Sequence, residues 1–169
     1  MTPFANSSET FSRLDFQILR DGGFILYLKE EALRPDLEWL RSHDYTRFEM
    51  DCNGWKGLEP MHRNLREVFG FPEYYGNNLN ALADCLSELE LSVAGTYILF
   101  RHFGSLEKKL AHSLLDILAH SVRGHLLFGR FLIVLVQVED ANYQLPGFGA
   151  ISLKWNNSEW LTASRTLNR

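Results

Sequence analysis

Residues 71–89 read FPEYYGNNLNALADCLSEL, a tight turn running straight into an amphipathic helix. Phe71-Pro72 and Gly76 specify the turn. Proline fixes φ and pushes its predecessor out of the helical region, while glycine accepts positive φ. Asn77 or Asn78 supplies an N-cap, because a short amide side chain can accept from the free N–H groups of a first helical turn. Leu79, Leu82, Leu86 and Leu89 recur at three and four residues and predict one buried stripe. The opposite face carries Asn77, Asn80, Asp84 and Glu88. Of the two adjacent tyrosines, Tyr75 is expected to fill the gap between turn and core. Cys85 lies beside the leucine stripe and reads as a small core residue.

Charge is distributed unevenly around this stretch. Residues 67–100 hold five acids, Glu67, Glu73, Asp84, Glu88 and Glu90, and no Lys, Arg or His. The segment therefore carries −5 in a chain whose formal net charge is −4, so the remainder is close to neutral. An aromatic turn leading into an acidic, amide-rich helix face is a docking surface suited to a basic partner.

The run PEYYGNNLNALADCL resembles the signature of the barstar family, intracellular protein inhibitors of secreted ribonucleases in which a tyrosine-rich turn and the following helix plug the enzyme's active site. The resemblance extends over about residues 45–138, and the flanks show no such match. It implies that Tyr74 is a contact tyrosine, that Asn78 is a contact asparagine, and that Asp84 takes a phosphate-binding position in a ribonuclease. Two positions depart from the family's pattern. Asn80 stands where the family usually has a second contact acid, and Ala83 stands where it has a tryptophan. Both departures remove groups of the kind that carry binding energy at interfaces.

With 169 residues, 46% hydrophobic and 22% charged, the chain can bury about two thirds of its unfolded surface. Its acidic balance and lack of a basic patch argue against direct binding of nucleic acid. The first residues, Met1-Thr2-Pro3-Phe4, open a polar leader without the basic and apolar regions of a signal peptide. The longest apolar run, residues 131–136, is far too short to span a bilayer. Two cysteines, Cys52 and Cys85, give no disulfide framework and fit a reducing, cytoplasmic compartment.

Taken in order, residues 16–28 read as two short strands about Asp21-Gly22-Gly23, a sequence suited to a tight hairpin. A short helix follows, with Pro35 in its first turn and Asp36 and Glu38 complementing the dipole. Residues 45–52 alternate as a strand. Leu58, Met61, Leu65, Val68 and Phe69 mark a helix closed by Gly70. After the central helix come a strand over residues 96–100, a helix capped by Ser105, and a strand over residues 130–138 apolar enough to be buried on both faces. Residues 148–155 read as a last strand and residues 156–169 as a polar tail or frayed helix. The expected fold is α/β: a small parallel sheet with packed helices, as the resemblance also implies, extended by an N-terminal hairpin and a C-terminal strand. Residues 1–44 and 139–169 then form extensions packed on a domain of residues 45–138.

The six histidines show no pair spaced for a helical zinc site, and they read as scattered polar side chains. No phosphate-cradling loop, nucleophile elbow or paired catalytic carboxylate motif occurs. The resemblance implies a non-enzymatic inhibitor, and the expectation is that it has no metal or cofactor. It would press Tyr74, Asn78, Asn80 and Asp84 into a basic protein, a ribonuclease or related toxin, while the sequence leaves the oligomeric state open. A second reading keeps the fold and makes the flanks the interface, with Trp39, Trp55, Trp155 and Trp160 as candidate anchors.

Overall fold

Four short segments rich in β-branched, aliphatic and aromatic residues pair in the same direction to form the centre of the molecule. The computed structural model describes residues 4–166. The elements run α1 (Ser8–Phe11), α2 (Leu14–Arg20), β1 (Phe24–Tyr27), α3 (Glu30–Ser42), β2 (Thr46–Asp51), α4 (Leu58–Phe69), α5 (Leu79–Ser87), β3 (Thr96–Arg101), α6 (Lys108–Leu127), β4 (Leu132–Gln137) and α7 (Thr162–Thr166). The sheet has the order β1-β4-β3-β2, and every pairing is parallel. Parallel neighbours need a crossover between them, and helices supply each one.

The central strands β3 and β4 are apolar at successive positions, so both faces of the sheet require a cover. On one face α4, α5 and α6 pack against Leu26, Met50, Ile98, Phe100, Val134 and Val136. On the other, Ile18 of α2 and Leu33, Leu37 and Leu40 of α3 pack against Tyr27, Tyr97, Leu99, Ile133 and Leu135. Among the described residues no helix is long and apolar enough to cross a membrane.

The N-terminal hairpin expected over residues 16–28 does not form. Residues 14–20 are helical, and only Phe24–Tyr27 is a strand, paired in parallel with β4. The Gly22-Gly23 pair, at φ +108° and +93°, ends helix α2 instead of turning a hairpin. The N–H of Gly23 bonds to the carbonyl of Ile18 at 2.9 Å, and that of Gly22 to Leu19 at 3.0 Å. The helix is held in place by Asp15, which is fully buried. Its carboxylate accepts from Arg13 at 3.0 Å and from the Tyr45 hydroxyl at 2.7 Å.

Three further expectations change. Helix α3 starts at Glu30, ahead of Pro35, and the carbonyl that this proline leaves without a donor lies on the solvent side, near exposed Glu31. Ser105 does not cap α6, because its hydroxyl donates to the carbonyls of Cys52 and His102 from a separate 3₁₀ turn, Phe103–Ser105. Residues 148–155 do not form a full strand. They reach the outer edge of β1 through one bridge between Leu26 and Trp155.

Residues 156–166 are not a polar tail. Asn156, Glu159 and Arg165 are all buried. The Asn156 amide donates to the carbonyl of Leu26 at 3.0 Å, and the Arg165 guanidinium donates to the carbonyls of Ala141, Glu159 and Trp160. Glu159 accepts the N–H of Leu28 at 2.9 Å and of Lys29 at 3.0 Å, just where α3 begins without a side-chain cap of its own. A distant carboxylate thus satisfies free donors at a helix N-terminus. Residues 1–3 of the expected leader and residues 167–169 of the expected tail lie outside the described residues.

Replacing Glu159 by Ala leaves those two N–H groups without an acceptor and should lower the unfolding free energy by about 1–3 kcal/mol. Urea denaturation reads this as a lower midpoint with an unchanged slope. A midpoint equal to the parent's would mean that water replaces the carboxylate without cost.

Candidate partner-binding surface

The central turn is built from its aromatic residues inward. Helix α4 ends at Gly70 in the left-handed region, φ 67° and ψ 36°, which sends the chain back across the sheet. Phe71 stacks on Phe69 at a centroid distance of 5.2 Å, and Tyr75 packs on Phe71 at 5.0 Å. The Tyr75 hydroxyl is hydrogen-bonded to Nδ1 of His62, and both residues are buried. Burial raises the Tyr75 pKa to about 12 and lowers that of the His62 imidazole. With Tyr75 planted inward, its neighbour Tyr74 projects outward and is 76% exposed.

Asn78 is the N-cap of α5. Its Oδ1 accepts from the N–H of Ala81 at 2.8 Å, and its amide donates to the carbonyl of Gly76 at 3.1 Å. The side chain expected to touch a partner is thus already engaged in holding the turn against the helix. Leu82 and Leu86 are fully buried, and Cys85 nearly so. This orientation leaves Asn80, Ala83, Asp84 and Glu88 in solvent. Asn80 and Asp84 are one turn apart on the same face, as are Asp84 and Glu88. Tyr74, Asn78, Asn80 and Asp84 are therefore all exposed, on one continuous turn and helix.

None of the five carboxylates of residues 67–100 has an ion-pair partner among the described residues, whereas Asp15, Glu30, Glu49, Asp51, Glu59 and Glu139 all do. The field is felt locally. Burial, and then the charges of Glu88 and Asp84, push the Cys85 thiol up. A thiol shifted in that direction is a poor nucleophile at neutral pH. Cys52, fully buried, is pushed up by burial in the same way.

His62 is the histidine that the reading of scattered polar side chains missed, since it is buried and holds Tyr75 in place. Its position one residue after Met61 and three before Leu65 places it on the apolar stripe of α4, and that spacing is the signal that could have revealed it. At the C-terminal ends of the strands both ring nitrogens of His102 face carboxylates, Nδ1 at 2.8 Å from Asp51 and Nε2 at 3.0 Å from Glu139. Both nitrogens are taken by carboxylates, an arrangement that ties β2 to the loop after β4. No group of three or more His, Cys, Asp or Glu side chains suited to hold a metal occurs among the described residues. Of the four tryptophans considered as anchors, Trp55 is buried, Trp39 and Trp155 are partly covered, and Trp160 is 64% exposed.

The family model described as Barstar (barnase inhibitor) matches residues 45–146. A protein of Bacillus subtilis (strain 168) named "Putative ribonuclease inhibitor YrdF" is 42% identical over 38 residues, which cover 22% of this chain and 42% of that protein. The match thus spans less than half the length of that relative.

The buried His62 makes stability depend on pH in a defined direction. Its folded pKa lies below the ordinary value of 6.5, so the unfolded chain takes up a proton that the folded one resists. The contribution is fully present above about pH 6.5 and is lost as pH falls from there toward the lower folded value. Urea midpoints measured at about pH 7.5 and about pH 5 should therefore differ less in His62→Gln than in the parent. An equal difference in the two proteins would remove His62 as the source.

Proposed function

The chain belongs to the barstar family, and from that premise we propose that it is an intracellular, immunity-type inhibitor that blocks the active site of a ribonuclease or related toxin. The observation that carries this reading is the exposed ridge of Tyr74, Asn80 and Asp84 within a segment whose carboxylates have no ion-pair partner among the described residues. A ribonuclease active site is built to receive phosphates. An unpaired carboxylate on a rigid helix offers it the same acceptor geometry, through charge-assisted hydrogen bonds from Arg or Lys. Asp84 takes the place of a phosphate, Tyr74 packs beside it, and Asn80 adds a neutral donor and acceptor. Asn78, engaged in the cap, positions the other three.

The partner is a basic protein and not RNA itself, and the inhibitor needs no metal, cofactor or catalytic group. Association is steered by charge, so it is fast at low salt and slows as salt screens the ridge. Two free, buried thiols fit the reducing environment of the cytoplasm. A second reading, in which the flanks form the interface of a non-inhibitory module, is favoured by one feature, the exposed Trp160 beside half-exposed Leu161.

Titration of barnase, with a fluorogenic RNA as substrate, tests the inhibitor reading. Asp84→Ala and Tyr74→Ala should each raise the inhibition constant at least about tenfold, ~1.4 kcal/mol, without loss of thermal stability, since both side chains are exposed. Asn78→Ala should instead destabilise the fold by ~1 kcal/mol through loss of the cap. If both ridge variants inhibit as well as the parent, the ridge is not a ribonuclease plug, whereas a parent that leaves barnase active removes barnase-like enzymes as the target.

A further inference from the structure

We propose that the furrow between α5 and α6 is a socket for one large apolar side chain, aromatic by preference, which the inhibited ribonuclease presents among basic residues. The proposal rests on the inhibitor reading for the identity of the partner. The furrow has a volume of about 300 Å³ and is lined by Ala83 and Ser87 of α5 and by Ile117, His120, Gly124 and Phe128 at and beyond the C-terminal half of α6. Its width is set from below, where the carbonyl of Leu86 accepts Nε2–H of His125 at 2.8 Å and the Ser121 hydroxyl at 3.4 Å. These bonds hold the two helices at a fixed spacing.

Gly124 is the residue that the fold itself does not explain. It lies inside helix α6 and has no positive φ, and a Cβ added there would meet no atom within 4 Å. Glycine within a helix costs up to ~1 kcal/mol relative to alanine, so neither backbone conformation nor packing favours it here. What it provides is open space along the α6 wall of the furrow, where Gly124 itself is exposed. The rim has the opposite character. Phe128 is 82% exposed, which leaves an aromatic side chain in water beside an apolar depression.

The occupant follows from what borders the furrow. Ala83 is flanked in sequence by Asp84 and lies three residues from Asn80, and Ser87 is flanked by Glu88, so the α5 wall is continuous with the acidic ridge. Neither carboxylate has an ion-pair partner among the described residues. An apolar side chain with cations beside it satisfies the depression and its rim together. A central apolar anchor within a charged surround is also the usual arrangement of energetically dominant interface residues.

The test uses the full chain and the tripeptide amide Lys-Trp-Lys as probe, followed by amide chemical shifts. Saturable shifts are expected at Ala83, Ser87 and Gly124, with affinity in the roughly millimolar range. Binding of Lys-Ala-Lys should be at least about tenfold weaker, and Gly124→Leu, which fills the furrow from its α6 wall, should abolish the shifts. Gly124→Leu should also weaken inhibition of barnase about tenfold. Shifts that are absent, that are equal with Lys-Ala-Lys, or that persist in Gly124→Leu would overturn the socket. So would sedimentation showing a dimer that Gly124→Leu dissociates, since the furrow would then receive a second copy of this chain. The peptide titration contains no ribonuclease. A failed titration with inhibition still sensitive to Asp84→Ala removes the socket alone, whereas insensitivity to both Asp84→Ala and Tyr74→Ala removes the inhibitor reading and the named partner with it.

Discussion

Strands β3 and β4 lie side by side with no water on either face, and that pairing dictates what the rest of the chain must supply. Tyr97, Ile98, Leu99, Phe100 and the five residues from Leu132 to Val136 are fully buried. A sheet so apolar on both sides is stable only when both sides are covered. Helices α4, α5 and α6 cover one face, and α2 and α3, which precede the stretch matched by the family model, cover the other. The second face contains tyrosines whose hydroxyls end on carboxylates: Tyr27 on Asp36, Tyr45 on Asp15 and Tyr97 on Glu49. A buried hydroxyl without a partner costs about 1–3 kcal/mol, so each carboxylate is as much a part of that layer as the leucines are.

The elements that were legible in the sequence are those whose stability is decided locally. Helix α4 announces its end with Gly70, α5 its start with Asn78, and β3 and β4 their burial with unbroken apolar runs. The misread elements depend on groups far away in the chain. Gly22-Gly23 satisfies a hairpin and a helix terminus equally well, and the choice between them is made by Asp15 meeting Tyr45, thirty residues away. Residues 156–166 look solvated because they are polar, yet Asn156, Glu159 and Arg165 spend that polarity on backbone groups of β1, α3 and the loop after β4. Polarity in a sequence marks a need for partners, and exposure is only one way of meeting it.

The acidic ridge could be read in advance because one continuous segment makes all of it. The turn, the cap and the helix face fall within residues 71–89, so periodicity places Asn80 and Asp84 on one face without knowledge of the tertiary fold, and the family resemblance adds Tyr74. The furrow had no such signal. Ala83 and Gly124 are separated by about forty residues, and nothing in either neighbourhood shows that α5 and α6 lie against each other. The buried pair His62 and Tyr75 is intermediate, thirteen residues apart, with the histidine marked only by its place on the stripe of α4.

The two departures from the family pattern, Asn80 and Ala83, lie on neighbouring turns of one helix and have opposite physical consequences. Asn80 removes a charge from the ridge, which lowers the long-range attraction that any cationic surface feels. Ala83 removes bulk from its flank, which opens a depression that only a partner with a matching side chain can fill. Charge attracts basic proteins with little discrimination, while a shaped apolar contact separates partners by what they place in it. The turn that presents both is rigid before binding, since Tyr75 is anchored on His62 and Asn78 is tied to Ala81 and Gly76. On the inhibitor reading proposed above, little ordering cost is left for the encounter, so a weaker field and a more selective contact can still amount to tight association.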